Sequence, residues 1–369
     1  MKRLIVIVAL LCLSLTLVAA ERLDLRLPDL PEYQIIKCDF HTHTVFSDGD
    51  VWPTFRVEEA WATGLDALSI TDHVEYQKYI KDIPKQLDRS YEVAQPYAQR
   101  YMLTLIKGAE ITRDMPPGHL NALFVGDIDE LDTETWREAI EAANEQGAFV
   151  FWNHPGWTGQ QPDGISRWYD EHTEILDNGW LHGIEVVNSD EFYPRAFQWC
   201  LDHNLTLIGN SDVHGSIARD YATPPADHRP MTWVLATDNS ETAIKEALFD
   251  RRTVVYWRNW LIGREAHLKT IFDNAVEVSP VVTFANPQGA PIRFTNTSDL
   301  EFELESGTVT ERFSVPETVH IPAGSSVLIP LRKAAGAEVP ESITVEYRVT
   351  NLKIAPETSL PVSWEIKLK

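Results

Sequence analysis

From residue 34 to about 257, short apolar runs alternate with amphipathic stretches. The runs "YQIIKCDF", "LDALSI", "YMLTLIKG", "NALFVG", "AFVFW", "GIEVV", "LTLIG" and "MTWVLAT" read as strands. Several are continuously apolar, as strands covered on both faces are. Between them, "PTFRVEEAWATG", "TETWREAIEAANEQG", "SRWYDEHTEILDNG" and "NSETAIKEALFD" carry helical spacing. Three of these close on Gly64, Gly147 or Gly179, which suits a left-handed helix end, and Thr133 and Ser240 stand where N-caps are expected. Such alternation predicts an α/β barrel or doubly wound sheet with parallel strands.

After about residue 270 the period changes. "PIRFTN", "LEFELES", "RFSVPETVHIPAGSSVLIPLR", "SITVEYRVTNL" and "PVSWEIKLK" alternate apolar with polar residues, with Pro, Gly and Asn between them. This predicts a smaller antiparallel β-sandwich over 272–369. No internal repeat or low-complexity tract interrupts the chain.

Residues 1–20, "MKRLIVIVALLCLSLTLVAA", join two positive charges to an apolar run and small residues, the pattern of a signal peptide cleaved after Ala20. An uncleaved anchor and a lipid-modified Cys12 are the alternatives. Export to the periplasm or the extracellular space is therefore expected, with no stable membrane insertion after cleavage. The formal net charge of the 369-residue chain is −23, and loss of Lys2 and Arg3 deepens it. Such acidity argues against duplex nucleic acid as a partner. Cys38 and Cys200 make no disulfide framework and read as buried small hydrophobes.

Chemistry enters through position. His41 and His43 end the first strand, and residues two apart on a strand share a face, so both can bind one ion. Asp72 and His73 end the second strand, Glu110 follows the third, and His119 precedes the fourth. Asn153 and His154 end the fifth, while Asp212 and His214 follow "LTLIGNS". Strand ends of such barrels converge on one mouth. Each residue alone has an ordinary explanation as a turn, a cap or a polar strand end; Asp48 in "SDGD" by itself is a turn former. Together, buried imidazoles and carboxylates need a cation among them. His172, His203, His182, His228, His267 and His320 fall outside the pattern. The first two lie in helical stretches, His182 just before a strand, His228 and His267 in loops and His320 in the second domain; exposure or ordinary hydrogen bonding is expected of all six.

"FHTHTVFSDG", "ITDH", "GAE", "GHLN", "NHPG" and "SDVHG" resemble, in order and flanking pattern, the motifs of the PHP (polymerase and histidinol phosphatase) family. The resemblance covers residues 34–265. It implies a distorted (β/α)7 TIM-like barrel with two or three divalent ions, Zn, Mn or Fe, hydrolysing phosphate esters. Carried over by position, His41, His43, Glu110 and Asp212 would hold one ion, and Glu110 would bridge to a second held by His119 and His154. His73 and His214 would hold the third, and Asp48 falls near where some members place a histidine, which leaves that ion's identity and occupancy open. Glu110, Asp212 and His214 are the candidate catalytic groups, and Asp72 and Asn153 would support the ligands.

Imidazole with carboxylate suits zinc, manganese or iron rather than calcium or magnesium alone. No GxSxG sequence or activated cysteine suggests a protein nucleophile. A small-molecule phosphoester is the expected partner. Arg113, Arg219, Tyr221 and Arg229, in loops after barrel strands, are candidates for binding it, with surface solubility the alternative. Trp152 and Trp157 flank "NHPG"; either could pack on an apolar or sugar leaving group, with core packing favoured for Trp152. Two other function classes stay open: a metallohydrolase of an amide-type substrate, and a non-catalytic module binding a glycan or a partner. Oligomeric state is not legible.

Overall fold

The computed structural model describes residues 22–221, 228–283, 289–306 and 312–369. The stretch 1–20, expected to be a signal peptide, lies outside the described residues. No helix among them is long and apolar enough to cross a membrane.

The barrel is built on β1 (Gln34–Asp39), β2 (Ala67–Ile70), β3 (Thr104–Ile111), β4 (Leu120–Leu123), β5 (Phe149–Trp152), β6 (Gly183–Asn188), β8 (Thr206–Asn210) and β9 (Met231–Ala236), with a short β7 (Glu191–Phe192) on β6. Their ladder runs β9-β1-β2-β3-β4-β5-β6-β8. The pairs β1–β2, β2–β3, β5–β6 and β6–β8 are parallel. The sheet is not parallel throughout, however: β4 runs antiparallel to β3 and β5, and β9 runs antiparallel to β1. Only residues 112–119 join β3 to β4, too few for a parallel crossover. That reversal distorts the α/β barrel and brings His119 to the same end as Glu110.

Helices α1 (Pro53–Ala62), α2 (Arg89–Tyr101), α3 (Trp136–Glu145), α4 (Asp170–Asp177), α5 (Pro194–Asp202), a short α6 (Ile217–Asp220) and α7 (Glu241–Phe249) surround the strands. Gly64, Gly147 and Gly179 follow their helices at φ of 87°, 72° and 71°, as a left-handed end requires. Ser240 caps α7 by accepting from Ala243 N–H. Thr133 does not cap α3; Thr135 does, in a capping box with Glu138, because the helix starts at Trp136, two residues later than the sequence suggests. Cys38 and Cys200 are buried and unpaired. His267 lies not in a loop but in α8 (Glu265–Ala275).

The sandwich sets β12 (Val276–Val278), β14 (Gly289–Asn296), β18 (Ser326–Lys333) and β16 (Phe313–Ser314) in one sheet. The other holds β15 (Phe302–Ser306), β17 (Thr318–Ile321), β19 (Ser342–Ala355), β20 (Thr358–Leu368) and the edge pair β13 (Val281–Val282). Alternate side chains of β19, such as Ile343, Val345, Tyr347 and Val349, are buried, the period-2 pattern of a half-covered strand. A hairpin of β10 (Thr253–Trp257) and β11 (Trp260–Gly263) leaves the barrel at β9 and pairs in parallel with β19, Leu261 opposite Leu352. One apolar cluster runs from Leu68 and Trp233 through Phe272 to Phe302, Tyr347 and Ile366. The N-terminal stretch also spans both parts: Leu23 N–H donates to Ala62 O, and Arg26 pairs with Asp299 at 2.9 Å.

Candidate metal centre

The strand ends deliver their polar residues to one place. Ring centroids link His41 to His43 (5.1 Å), His43 to His73 (4.5 Å), His73 to His119 (5.9 Å), His119 to His154 (5.0 Å) and His154 back to His41 (5.9 Å). This closed circuit of imidazoles surrounds the carboxylate of Glu110, which is fully buried. Its oxygens lie 2.7 Å from His73 Nδ1, 3.0 Å from His119 Nδ1, 3.5 Å from both His41 and His43 Nε2, and 3.6 Å from His154 Nε2. Burial pushes the Glu110 carboxyl up, but His73, His41 and His119 outweigh it and hold the group well below the usual carboxylate range.

Asp212 closes the first group: its Oδ1 is 3.0 Å from His43 Nε2 and 3.2 Å from His41 Nε2, which are themselves 3.1 Å apart. Asp48 closes another, with Oδ1 at 3.1 Å from His214 Nε2, 3.4 Å from His73 Nε2 and 3.7 Å from His43 Nδ1. Three sets of ligand atoms are thus compact enough to share an ion: His41, His43 and Asp212; His73, Glu110 and His119; and His43, Asp48, His73 and His214. These sets overlap the division that the resemblance implies: His73 joins Glu110 and His119, and His154 borders the same group, its ring 5.0 Å from that of His119 and its Nε2 3.6 Å from Glu110. His43 faces two sets, one through each ring nitrogen.

Do these residues fit cations? Asp48 Oδ1, Glu110 Oε2 and Asp212 Oδ1 are buried and accept no hydrogen bond, although imidazole nitrogens crowd each of them. A dry carboxylate oxygen without a donor is costly, and lone pairs converging at angles unsuited to hydrogen bonds suit a shared ion. His154 and Asp212 also hold left-handed backbone, φ 28° and 53°, a cost of the kind that collects at functional sites.

Supporting contacts orient the cluster. Asp72 accepts from Thr44 N–H (2.7 Å), Thr44 Oγ1–H (2.6 Å) and Ser47 Oγ–H (2.6 Å), which shapes the loop after His43. Asn153 donates to Glu110 Oε1 at 2.8 Å. Gly49 lets the loop carrying Asp48 fold back, since a Cβ there would lie 2.7 Å from the His43 and Thr44 backbone.

Two supporting residues escape sequence reasoning. Glu185, buried in β6, accepts from His41 Nδ1 at 2.9 Å and from His154 N–H at 2.7 Å, and thereby turns His41 Nε2 to the cluster. Arg56, buried in α1, donates to the carbonyls of His43, Val213, His214 and Gly215 and pairs with Glu59. Both hide in patterns that read as scaffold. The available signal for Glu185 is a charge inside an apolar strand run.

The four candidates for substrate binding divide. Arg219 lies exposed at the rim, paired with Asp220 at 3.1 Å and near Asp50 at 3.7 Å. Arg113 is drawn to Glu75 at 2.9 Å and to Thr133 O at 2.8 Å. Arg229 does not serve a ligand: it is 1% exposed and ion-paired with Asp39 at 3.1 Å. Tyr221 is likewise buried, against Val213 and Ile217. Trp152 is core, stacked on His172 at 3.8 Å, whereas Trp157 stands at the mouth, 5.3 Å from His154 and 43% exposed.

A crystal structure of a two-domain protein from Bacteroides vulgatus ATCC 8482, containing a predicted PHP-like metal-dependent phosphoesterase, matches this fold at a TM-score of 0.90 and 40% sequence identity. The match covers 94% of this chain and 100% of that one. The chain belongs to the PHP family. Over a shorter stretch of 186 residues, this PHP chain is 36% identical to the uncharacterized protein MJ1295 of Methanocaldococcus jannaschii, covering 43% of this chain and 83% of the other. A family model described as an Ig-like domain matches residues 276–365, so an Ig-like β domain is appended to the PHP barrel.

Proposed function

We propose that the protein is an exported hydrolase that cleaves phosphate esters of a small organic molecule with divalent zinc, manganese or iron. The observation that carries the reading is the trio of buried, unbonded carboxylate oxygens, Asp48 Oδ1, Glu110 Oε2 and Asp212 Oδ1, each ringed by imidazole nitrogens. Cations held by those residues supply charge neutralisation for an ester's oxygens and lower the pKa of water beside it. Glu110, His41 and His43 are fully buried and hold the floor; His214, 39% exposed in its side chain, faces the approach. His214 Nδ1–H donates to the Asp212 carbonyl at 2.8 Å, which fixes its Nε2 toward Asp48. Asn153 and Asn188 orient Glu110 and Glu185 by amide hydrogen bonds of 2.8 Å. The acidic surface disfavours polyanionic nucleic acid, and the leader-like residues 1–20 support export.

The test compares protein loaded with manganese or zinc, chelator-stripped protein and His43→Ala. Each is assayed on an aryl phosphomonoester, an aryl phosphodiester and an aryl amide. Phosphoester turnover lost on chelation and in His43→Ala supports the reading. Turnover surviving both, or confined to the amide, sinks it.

A further inference from the structure

Trp157 is exposed at the mouth but not loose. Its backbone N–H donates to the His154 carbonyl at 2.9 Å in a tight turn, and its ring centroid stands 5.9 Å from that of His119 and 5.3 Å from that of His154. The indole lies on Gly159: a Cβ there would come within 2.4–2.7 Å of three indole atoms. Across the cluster Tyr76, half exposed, meets His73 edge-on at 5.9 Å. Two open aromatic rings therefore flank the His73–His119–His154 side of the centre.

Three cations near the mouth are paired with carboxylates. Lys78 pairs with Asp50 at 3.0 Å and Arg219 with Asp220, while Arg113 is taken by Glu75. To bind a second anionic group of a substrate, each of these cations would first have to leave its carboxylate. Recognition beyond the phosphate falls to the ring faces, and an indole seated on a glycine loses little freedom when a flat ligand stacks on it.

Resting on the phosphoester reading above, we infer that Trp157, positioned by Gly159 and opposed by Tyr76, is a stacking platform, and that the preferred substrates are phosphate esters of planar, uncharged ring-bearing alcohols or phenols. Gly159 is a positioning residue, since any side chain there displaces the indole.

The test is calorimetric binding of phenylphosphonate, cyclohexylphosphonate and methylphosphonate to the manganese-loaded full chain, its Trp157→Ala, Trp157→Phe and Gly159→Ala variants. Phenylphosphonate is expected to bind about tenfold more tightly than methylphosphonate, with cyclohexylphosphonate between them. Trp157→Ala and Gly159→Ala should erase the phenyl advantage, and Trp157→Phe should keep part of it. Should Gly159→Ala fail to fold, the exposed Trp157 pair still decides. If methylphosphonate binds but the phenyl group adds nothing, or cyclohexyl equals phenyl, the platform is overturned while the phosphoester reading stands. If methylphosphonate itself does not bind, both fall.

Discussion

Arg56 Nη2 lies 2.7 Å from the carbonyl oxygen of His43. The same guanidinium reaches Val213 O at 3.1 Å and Gly215 O at 2.9 Å, so one buried cation ties the loop of the first strand to the loop after β8. Arg56→Met removes five donors and leaves Glu59 buried without its partner. We expect a loss of about 3 kcal/mol or more in denaturant unfolding, together with reduced bound metal. Wild-type stability in that variant would show that the clamp is idle.

Glu185→Gln keeps shape but weakens the acceptor at His41 Nδ1. Metal affinity, measured by competition with a chromogenic chelator, should fall about 10- to 100-fold, while the melting temperature of the metal-free protein changes little by comparison. Unchanged affinity would remove Glu185 from the supporting set.

Asp48 is the carboxylate of the His43–Asp48–His73–His214 group alone. Asp48→Asn is therefore expected to lower the metal content of purified protein selectively, with the His41–His43–Asp212 group still filled. Elemental analysis beside Asp212→Asn reads the difference. Equal losses in the two variants would contradict separate groups.

His172 gives a pH signature away from the metal centre. It is fully buried, donates from Nε2 to Pro117 O at 2.8 Å and accepts Tyr169 N–H at Nδ1, 3.0 Å. Burial pushes its pKa down from 6.5 to about 4. The unfolded chain takes up the proton first, so this contribution is complete above about pH 6.5 and is lost as pH falls through about 4. The gap corresponds to about 3 kcal/mol. Urea titrations of wild type and His172→Phe between pH 7 and 4 check it: the variant should be less stable at pH 7 and less sensitive to acid. Parallel pH profiles would refute the assignment.

The convergence of the strand-end histidines and carboxylates was legible because charge at the close of an apolar run is conspicuous and a barrel collects such positions from distant parts of the chain. By its own residues the Asp48 loop reads as a turn, and only the family resemblance sets it near His73 and His214; its approach to them depends on Gly49 meeting the His43 backbone. Arg56 was hidden because one cation on an amphipathic helix reads as solvated, and nothing local reveals the four carbonyls above it. Arg229 erred in the opposite direction: an arginine in a loop after a barrel strand suggested ligand binding, but Asp39, inside "KCDF", claims it from below. The antiparallel turn of β4 had a readable cause in its short connection. The hairpin of β10 and β11 was missed because two brief apolar strands after α7 resemble the end of one domain rather than a bridge to the next.

The parallel pairing of β11 with β19 has a mechanical meaning. Because Leu261 and Ile262 are laddered to Leu352 and Lys353, and Asn351 Nδ2–H donates to the Asn259 carbonyl at 2.8 Å, the two parts share a seam instead of a tether. Phe272 of α8 completes the joint, edge-on to Phe302 at 5.0 Å. Cutting the chain just after α8 would strip the outer edge of β11 and bare the apolar face of α8, so the trimmed barrel should be sticky as well as weakened. Heat should accordingly melt the intact protein as a single unit, with the Ig-like part acting as the barrel's side wall.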